Sequence, residues 1–347
     1  MTNMDLEKLV RPNILALEPY SCARNEFSGV ASVWLDANES PFNAPYNRYP
    51  DPLQLEVKEQ LSALKGVPAE SIFLGNGSDE CIDLMYRIFC RPGVDNVVAM
   101  SPSYGMYEVC ASVNDVEYRK VALNDDYSIN FDAMLAVADE HTKVMWICSP
   151  NNPTGTAATV EDLLNFSKRV NCILVIDEAY IDFSTKGSML AVLPSMPNVV
   201  VMQTLSKAWG SAGVRMGMAF ASPAIVSLMN NVKYPYNVNI LTQRYALEQL
   251  GKSDEIKAQV SILLEQREEL KQQLASVPCV KRIHPTDANF VLVEVTDADG
   301  IYKYLLDKGV VVRNRNRVEK CLGCLRITVG LPQENLTLIN CLKNYGK

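Results

Sequence analysis

Between positions 51 and 220 short apolar runs alternate with stretches in which apolar residues recur at helical spacing. The runs at 96–100, 143–148, 172–176, 199–204 and 216–220 predict buried strands. Leu53, Val57, Leu61 and Leu64 fall on one helical stripe, and Ile82, Met85 and Ile88 mark a second helix with Ser78 or Asp79 as its N-cap. Thr159 and Asp162 have capping-box spacing ahead of Leu163, Leu164 and Phe166. A crossover helix is therefore predicted where a right-handed strand, helix, strand unit needs one. The alternation as a whole predicts an α/β fold, with a mostly parallel sheet flanked by helices.

Past Val238 the texture changes. A Glu-, Gln- and Lys-rich helical stretch runs from 241 to 275, followed by strand signals at 289–295, 310–313 and 325–329 and helix signals at 300–308 and 333–344. This pattern predicts a second, smaller α+β domain. The expected division is an N-terminal arm with part of the small domain at 1–44, a large domain at 45–238 and the small domain at 239–347. A chain of 347 residues is also long enough for about two domains of roughly 150 residues each.

Composition narrows the function classes. With 48% apolar and 21% charged residues the chain is neither disordered nor fibrous. Its 33 basic and 40 acidic side chains give a charge of −7 without blocks of like sign, so no basic face offers itself to nucleic acid. No apolar run approaches membrane-spanning length and the first residues are too polar for a secretory signal, so a cytoplasmic location is expected. The ten Cys then read as reduced thiols. The one close pair, Cys321 and Cys324, has no second pair at matching spacing, and no metal site is expected. His141 and His284 are the only histidines, which points any general base toward another residue type.

Chemistry concentrates at four predicted strand ends. Lys207 follows an apolar run and lies in the small-residue loop 204–217, where an amine can be desolvated and turned into a nucleophile toward a carbonyl. Taken alone it reads as a solvated surface cation. Asp177 ends the preceding run in IleAspGluAlaTyr, at the carboxyl end of a strand, where ligands bind in open α/β sheets. Asn152 sits in a turn flanked by two prolines, and the GlyAsnGlySerAsp turn at 75–79 presents backbone N–H groups at a helix start. An amine, a carboxylate, an amide and an anion cradle are what pyridoxal phosphate asks for: it carries an aldehyde, a ring nitrogen, a phenolic oxygen and a phosphate.

These motifs, in this order, resemble the fold-type I pyridoxal-phosphate aminotransferases, and most closely their histidinol-phosphate branch. The resemblance runs from GluProTyr at 18–20 and AspAlaAsnGluSerPro at 36–41 through AsnArgTyrPro at 47–50, ProSerTyrGlyMetTyr at 102–107, SerProAsnAsnProThrGly at 149–155, AspGluAlaTyr at 177–180 and ThrLeuSerLysAla at 204–208. It ends with CysLeuArgIleThrValGly at 324–330. By this resemblance Lys207 bonds the cofactor aldehyde and moves the substrate's proton, and Asp177 sits beside the ring nitrogen. Asn152 and Tyr180 bond the phenolic oxygen, and Tyr104 stacks on the ring. Ser206, Arg215 and the backbone of Ser78 and Asp79 take the phosphate. Tyr49 would reach the neighbouring subunit's cofactor, which implies a homodimer. Arg326, Arg313, Tyr20 and Asn38 are the implied substrate contacts, while Arg315 and Arg317 in the loop between the two arginines read as surface cations.

The reaction so implied is transamination between L-histidinol phosphate and 2-oxoglutarate, giving imidazole-acetol phosphate and glutamate in histidine biosynthesis. Threonine-phosphate decarboxylases and aromatic amino acid aminotransferases share the cofactor residues and stay open as alternatives. A nicotinamide-dependent dehydrogenase is disfavoured, because Glu80 stands where the third glycine of its phosphate-binding turn belongs. A protein that merely binds the cofactor is disfavoured by the intact Lys207 and Asp177.

Overall fold

The computed structural model describes residues 6–20 and 31–346. Seven strands form the larger sheet: β1 (Ile72–Asn76), β2 (Asn96–Ser101), β3 (Glu117–Ala122), β4 (Thr142–Cys148), β5 (Ile173–Asp177), β6 (Val199–Thr204) and β7 (Met216–Phe220). Their order is β1-β7-β6-β5-β4-β2-β3. Neighbours from β6 through β3 pair parallel, whereas β7 runs antiparallel to both β6 and β1. The α/β architecture expected from the alternation is thus present.

The apolar runs are continuous because both faces of the central strands are covered. Leu174 and Ile176 of β5 point into one apolar cluster and Ile173 and Val175 into the other, and all four are fully buried. Helix Ser78–Phe89 lies over the second face through Ile82, Met85 and Ile88. The crossover helix Val160–Ser167 starts as its sequence predicts: Thr159 Oγ1 accepts the Asp162 N–H at 3.1 Å.

A second sheet holds β8 (Val280–Ile283), β9 (Phe290–Val295), β10 (Arg313–Asn314) and β11 (Cys324–Thr328), all antiparallel in the order β10-β11-β9-β8. Alternation along β9 ties the two sheets together. Val291, Val293 and Val295 pack with Leu270, Leu274 and Ile301 in the small sheet's own core, while Phe290 and Leu292 enter the core of the large sheet. The carboxyl ends of β4, β5 and β6 consequently face β10 and β11 across a cleft.

Several elements differ from the sequence expectation. The helical stretch 241–275 is two helices, Ile240–Leu250 and Ser253–Ala275, broken at Gly251 and Lys252. The strand expected at 310–313 shrinks to Arg313 and Asn314, because Val310 instead donates back to the Leu305 carbonyl and closes the preceding helix. Neither Ser78 nor Asp79 caps its helix; Gly77 does, at φ 76°. Three strands, β1, β3 and β8, lie outside the apolar runs from which strands are predicted.

Candidate active site

The cleft is a cavity of about 650 Å³. Lys207, Asp177, Tyr180, Asn152 and Tyr104 line it, joined by Ser78, Asp79, Ser206 and Arg215 at one end. Arg313 and Arg326 line the opposite wall. Residues from positions 78 to 326 are thereby gathered at the strand ends that an open α/β sheet offers to ligands.

Each side chain is aimed by its own strand. β5 carries Asp177 to its last position, 3% exposed, where Tyr107 Oη donates to Oδ2 at 2.6 Å and the Ala179 N–H donates to Oδ1 at 3.0 Å. Burial pushes the Asp177 carboxyl above its ordinary range, and those two donors together with Lys207 oppose the rise. No cation among the described residues lies within ion-pair distance of it. A buried carboxylate with this setting fits a cationic ring nitrogen.

Lys207 follows β6. Thr204 Oγ1 accepts the Ser206 N–H at 3.1 Å, which fixes the turn that swings Lys207 inward. Its Nζ stands 5.4 Å from the Tyr180 ring centre. Burial first, then Arg326 and Arg215, lower the ammonium's pKa, while Asp177 and Asp79 resist. Asn152 is placed by its neighbour Asn151, which is fully buried and bonds Pro102, Ser103 and Thr154. Asn152 is thereby left to face the cavity, its Nδ2 3.5 Å from Tyr180 Oη and its Oδ1 accepting from Arg326.

The anion cradle depends on two glycines. Gly77 donates to the Arg215 carbonyl at 2.7 Å, and a Cβ on it would lie 2.5 Å from Arg215 Nη2. A Cβ on Gly217 would strike the backbone of Ser78. Arg215 itself holds a left-handed conformation at φ 55°, a strained state for a non-glycine residue of the kind that clusters at ligand sites. Its guanidinium pairs with Asp79 at 3.0 Å, and Tyr104 Oη donates to the same carboxylate at 3.1 Å.

Two expected substrate contacts, and the residue expected to serve the neighbouring subunit, stand outside this cavity. Tyr20 is 73% exposed, Asn38 is exposed, and Tyr49 is half-exposed with its ring stacked on Tyr236 at 4.4 Å; none lines the cavity of its own chain. Conversely, Arg315 is no surface cation. Its N–H donates to the Cys324 carbonyl at 2.9 Å, extending the β10–β11 pairing so that Arg313 and Arg315, two positions apart, share a face. Arg326 is directly opposite Arg313 in register and joins them. Arg317, beyond the paired residues, is exposed as expected. The period-two spacing of Arg313, Arg315 and Arg317 was the available signal. Tyr107 has no expected role, although it closes the ProSerTyrGlyMetTyr motif.

The nine described cysteines are all free thiols, and no helix among the described residues is long and apolar enough to cross a membrane.

Fold and site together define an α/β protein whose cavity lies at the strand ends and holds a buried amine and carboxylate, and comparison with known proteins gives its family. Residues 23–339 match the model of "Aminotransferase class I and II". A histidinol-phosphate aminotransferase of Parabacteroides distasonis is 56% identical over 98% of this chain and 99% of its own length. Another, from Bacteroides fragilis, is 53% identical over the same shares. The crystal structure of histidinol-phosphate aminotransferase from Sinorhizobium meliloti in complex with pyridoxal-5'-phosphate superposes with a TM-score of 0.80 at 23% identity, covering 88% of this chain and 89% of that one. The chain belongs to the class I and II aminotransferase family. It is accordingly an aminotransferase.

Proposed function

We propose that this enzyme transfers the amino group of L-histidinol phosphate to 2-oxoglutarate, giving imidazole-acetol phosphate and glutamate, in the cytoplasm as a step of histidine biosynthesis. The observation that carries the reading is the buried amine and buried carboxylate, Lys207 and Asp177, facing one cavity whose opposite wall is arginine-rich. Full-length relatives with that name at more than half identity support the choice of substrate.

Pyridoxal phosphate, when bound, supplies a ring that takes up the electron pair left behind when the substrate's Cα loses its proton. Lys207 would hold the cofactor by its aldehyde, Arg215, Ser206 and the N–H groups of Ser78 and Asp79 would take the phosphate, and Tyr104 would cover a ring face. Asp177 would keep a proton on the ring nitrogen, with Tyr107 holding its carboxylate in place. Asn152 and Tyr180 converge and would donate to the phenolic oxygen. Lys207 Nζ, freed by the incoming amine, would take the proton from the substrate's Cα and give it to the carbon that had been the cofactor's aldehyde. Its lowered pKa enlarges the neutral fraction that can accept a proton near neutral pH. Arg326 and Arg313 would fix the substrate's anionic groups and so its orientation.

The chain would act as a homodimer in which Tyr49 serves the neighbouring site. Its absence from the cavity of its own chain, its half-exposed ring, and the exposure of the large side chains of Phe42, Tyr46, Tyr234 and Leu241 support this. Assaying histidinol phosphate with 2-oxoglutarate beside threonine phosphate tests the reading. Glutamate formation with the first and no carbon dioxide from the second is expected; release of carbon dioxide instead would overturn it.

A further inference from the structure

The wall formed by β10 and β11 carries three guanidinium groups, from Arg313, Arg315 and Arg326, and among the described residues none of them has a carboxylate partner at ion-pair distance. Two are incompletely bonded in the interior: the Nε atoms of Arg315 and Arg326 are both buried and have no acceptor. Arg326 is braced by Asn152 and by the Phe290 ring, 5.2 Å from its Cζ. Arg315 has no such brace for its guanidinium. Burial, Arg326 and Arg313 lower its pKa to about 10, an electrostatic cost that Cys321 and Tyr180 offset only in part and no carboxylate among the described residues relieves at ion-pair distance.

A planar guanidinium satisfies its donors best against a carboxylate or phosphate, and a dianion with three terminal oxygens can accept from three arginines at once. A carboxylate, with two oxygens and one charge, is saturated by one bidentate arginine and part of a second. Resting on the substrate reading above, we infer that Arg315 determines specificity: it is the third cation of a subsite for the phosphomonoester dianion of the amino donor, and the carboxylate substrates use it little. Arg317, two residues farther along the same loop but exposed, has no part in that subsite and provides an internal control.

The test is R315Q in the cofactor-loaded enzyme, with R315K and R317Q beside it. In a two-stage exchange kcat/KM for each substrate reports its own half-reaction, so the two can be compared in one protein. R315Q should lower kcat/KM for histidinol phosphate by about 10- to 100-fold, the effect of one lost charged hydrogen bond. The same value for glutamate should fall by less than about threefold, near the lower end of that scale. R315K, which keeps charge without the fork, should lie between, and R317Q should match the parent enzyme. Calorimetric titration with inorganic phosphate supplies a readout independent of turnover. In the holoenzyme the cofactor's own phosphate fills its cradle, and R315Q but not R317Q should weaken phosphate binding by a similar factor. Equal losses for both substrates, or no loss of phosphate binding, would overturn the inference. If the parent enzyme does not use histidinol phosphate at all, the substrate reading falls while the phosphate titration still decides the role of Arg315.

Discussion

On the wall made by β4, β5 and β6, buried polar groups answer one another: Asp177 accepts from Tyr107 and Ala179, and the Asn151 amide is satisfied by Pro102, Ser103 and Thr154. On the facing wall, β10 and β11 carry donors in excess, with two buried guanidinium nitrogens lacking acceptors. The contrast shows which interactions folding completes and which it leaves for a ligand. Groups already satisfied are pre-oriented, so they act on the reacting atoms without reorganising. Unsatisfied cations instead make the empty pocket costly and an anion in it welcome. Changes on the first wall should therefore appear in kcat and cofactor retention, and changes on the second in KM and substrate choice.

The largest expected effect is that of Lys207→Ala. Amino transfer in a single turnover should drop by about 10⁴-fold or more, since nucleophile and proton carrier vanish together. The visible absorbance that borohydride bleaches in the parent protein should be missing. Transfer at more than a few per cent of the parent rate would remove Lys207 from its role. Asp177→Asn keeps shape but not charge and should lower kcat by on the order of 10²–10³-fold with KM little changed. If KM moved instead, the proposed division between the walls would fail. Arg326→Gln should act the other way, lowering kcat/KM for either substrate by about 10- to 100-fold, mainly through KM. Steady-state kinetics with both substrates separates these cases.

What could be read from the sequence follows the same contrast. The first wall is contiguous in the chain: an apolar run followed by AspGluAlaTyr fixes a strand end, Asp177 and Tyr180 within a few residues. Arg315 depends on the register of β10 against β11, which links residues on either side of a loop and is set by pairing rather than composition. Tyr107 meets Asp177 across 70 positions of sequence. β3 is an edge strand with only Val121 buried, so it lacks the apolar run that would mark it in the sequence. β1 has a short apolar stretch cut off by Gly75, and it resembles the approach to a turn. The break at Gly251 interrupts two polar helices for only a pair of residues, too few to disturb the periodicity of a long helical stretch.

The smallest expected effect tests whether the arginines of the second wall reach across to the first. In the cofactor-free fold, burial, Arg326 and Arg215 keep the Lys207 ammonium below its ordinary pKa of 10.5. The unfolded chain keeps the ordinary value, so below the folded pKa the protonated amine counts fully against the folded state. As pH rises through the folded pKa toward the unfolded one, both states become neutral and the penalty disappears. Lys207→Met removes the charge with similar bulk. It should raise the Tm of the cofactor-free protein near pH 7, on the order of 1–2 °C for a chain of this size. The gain should shrink as pH approaches the ordinary lysine value, and titrating groups that do not sense Lys207 cancel because the two proteins share them, whereas Asp177 loses a charge that opposes its rise. In an Arg326→Gln background the gain at pH 7 should be smaller, since one of the lowering charges is gone. A gain independent of both pH and Arg326 would mean that the methionine acts through packing, and that the two walls are electrostatically separate.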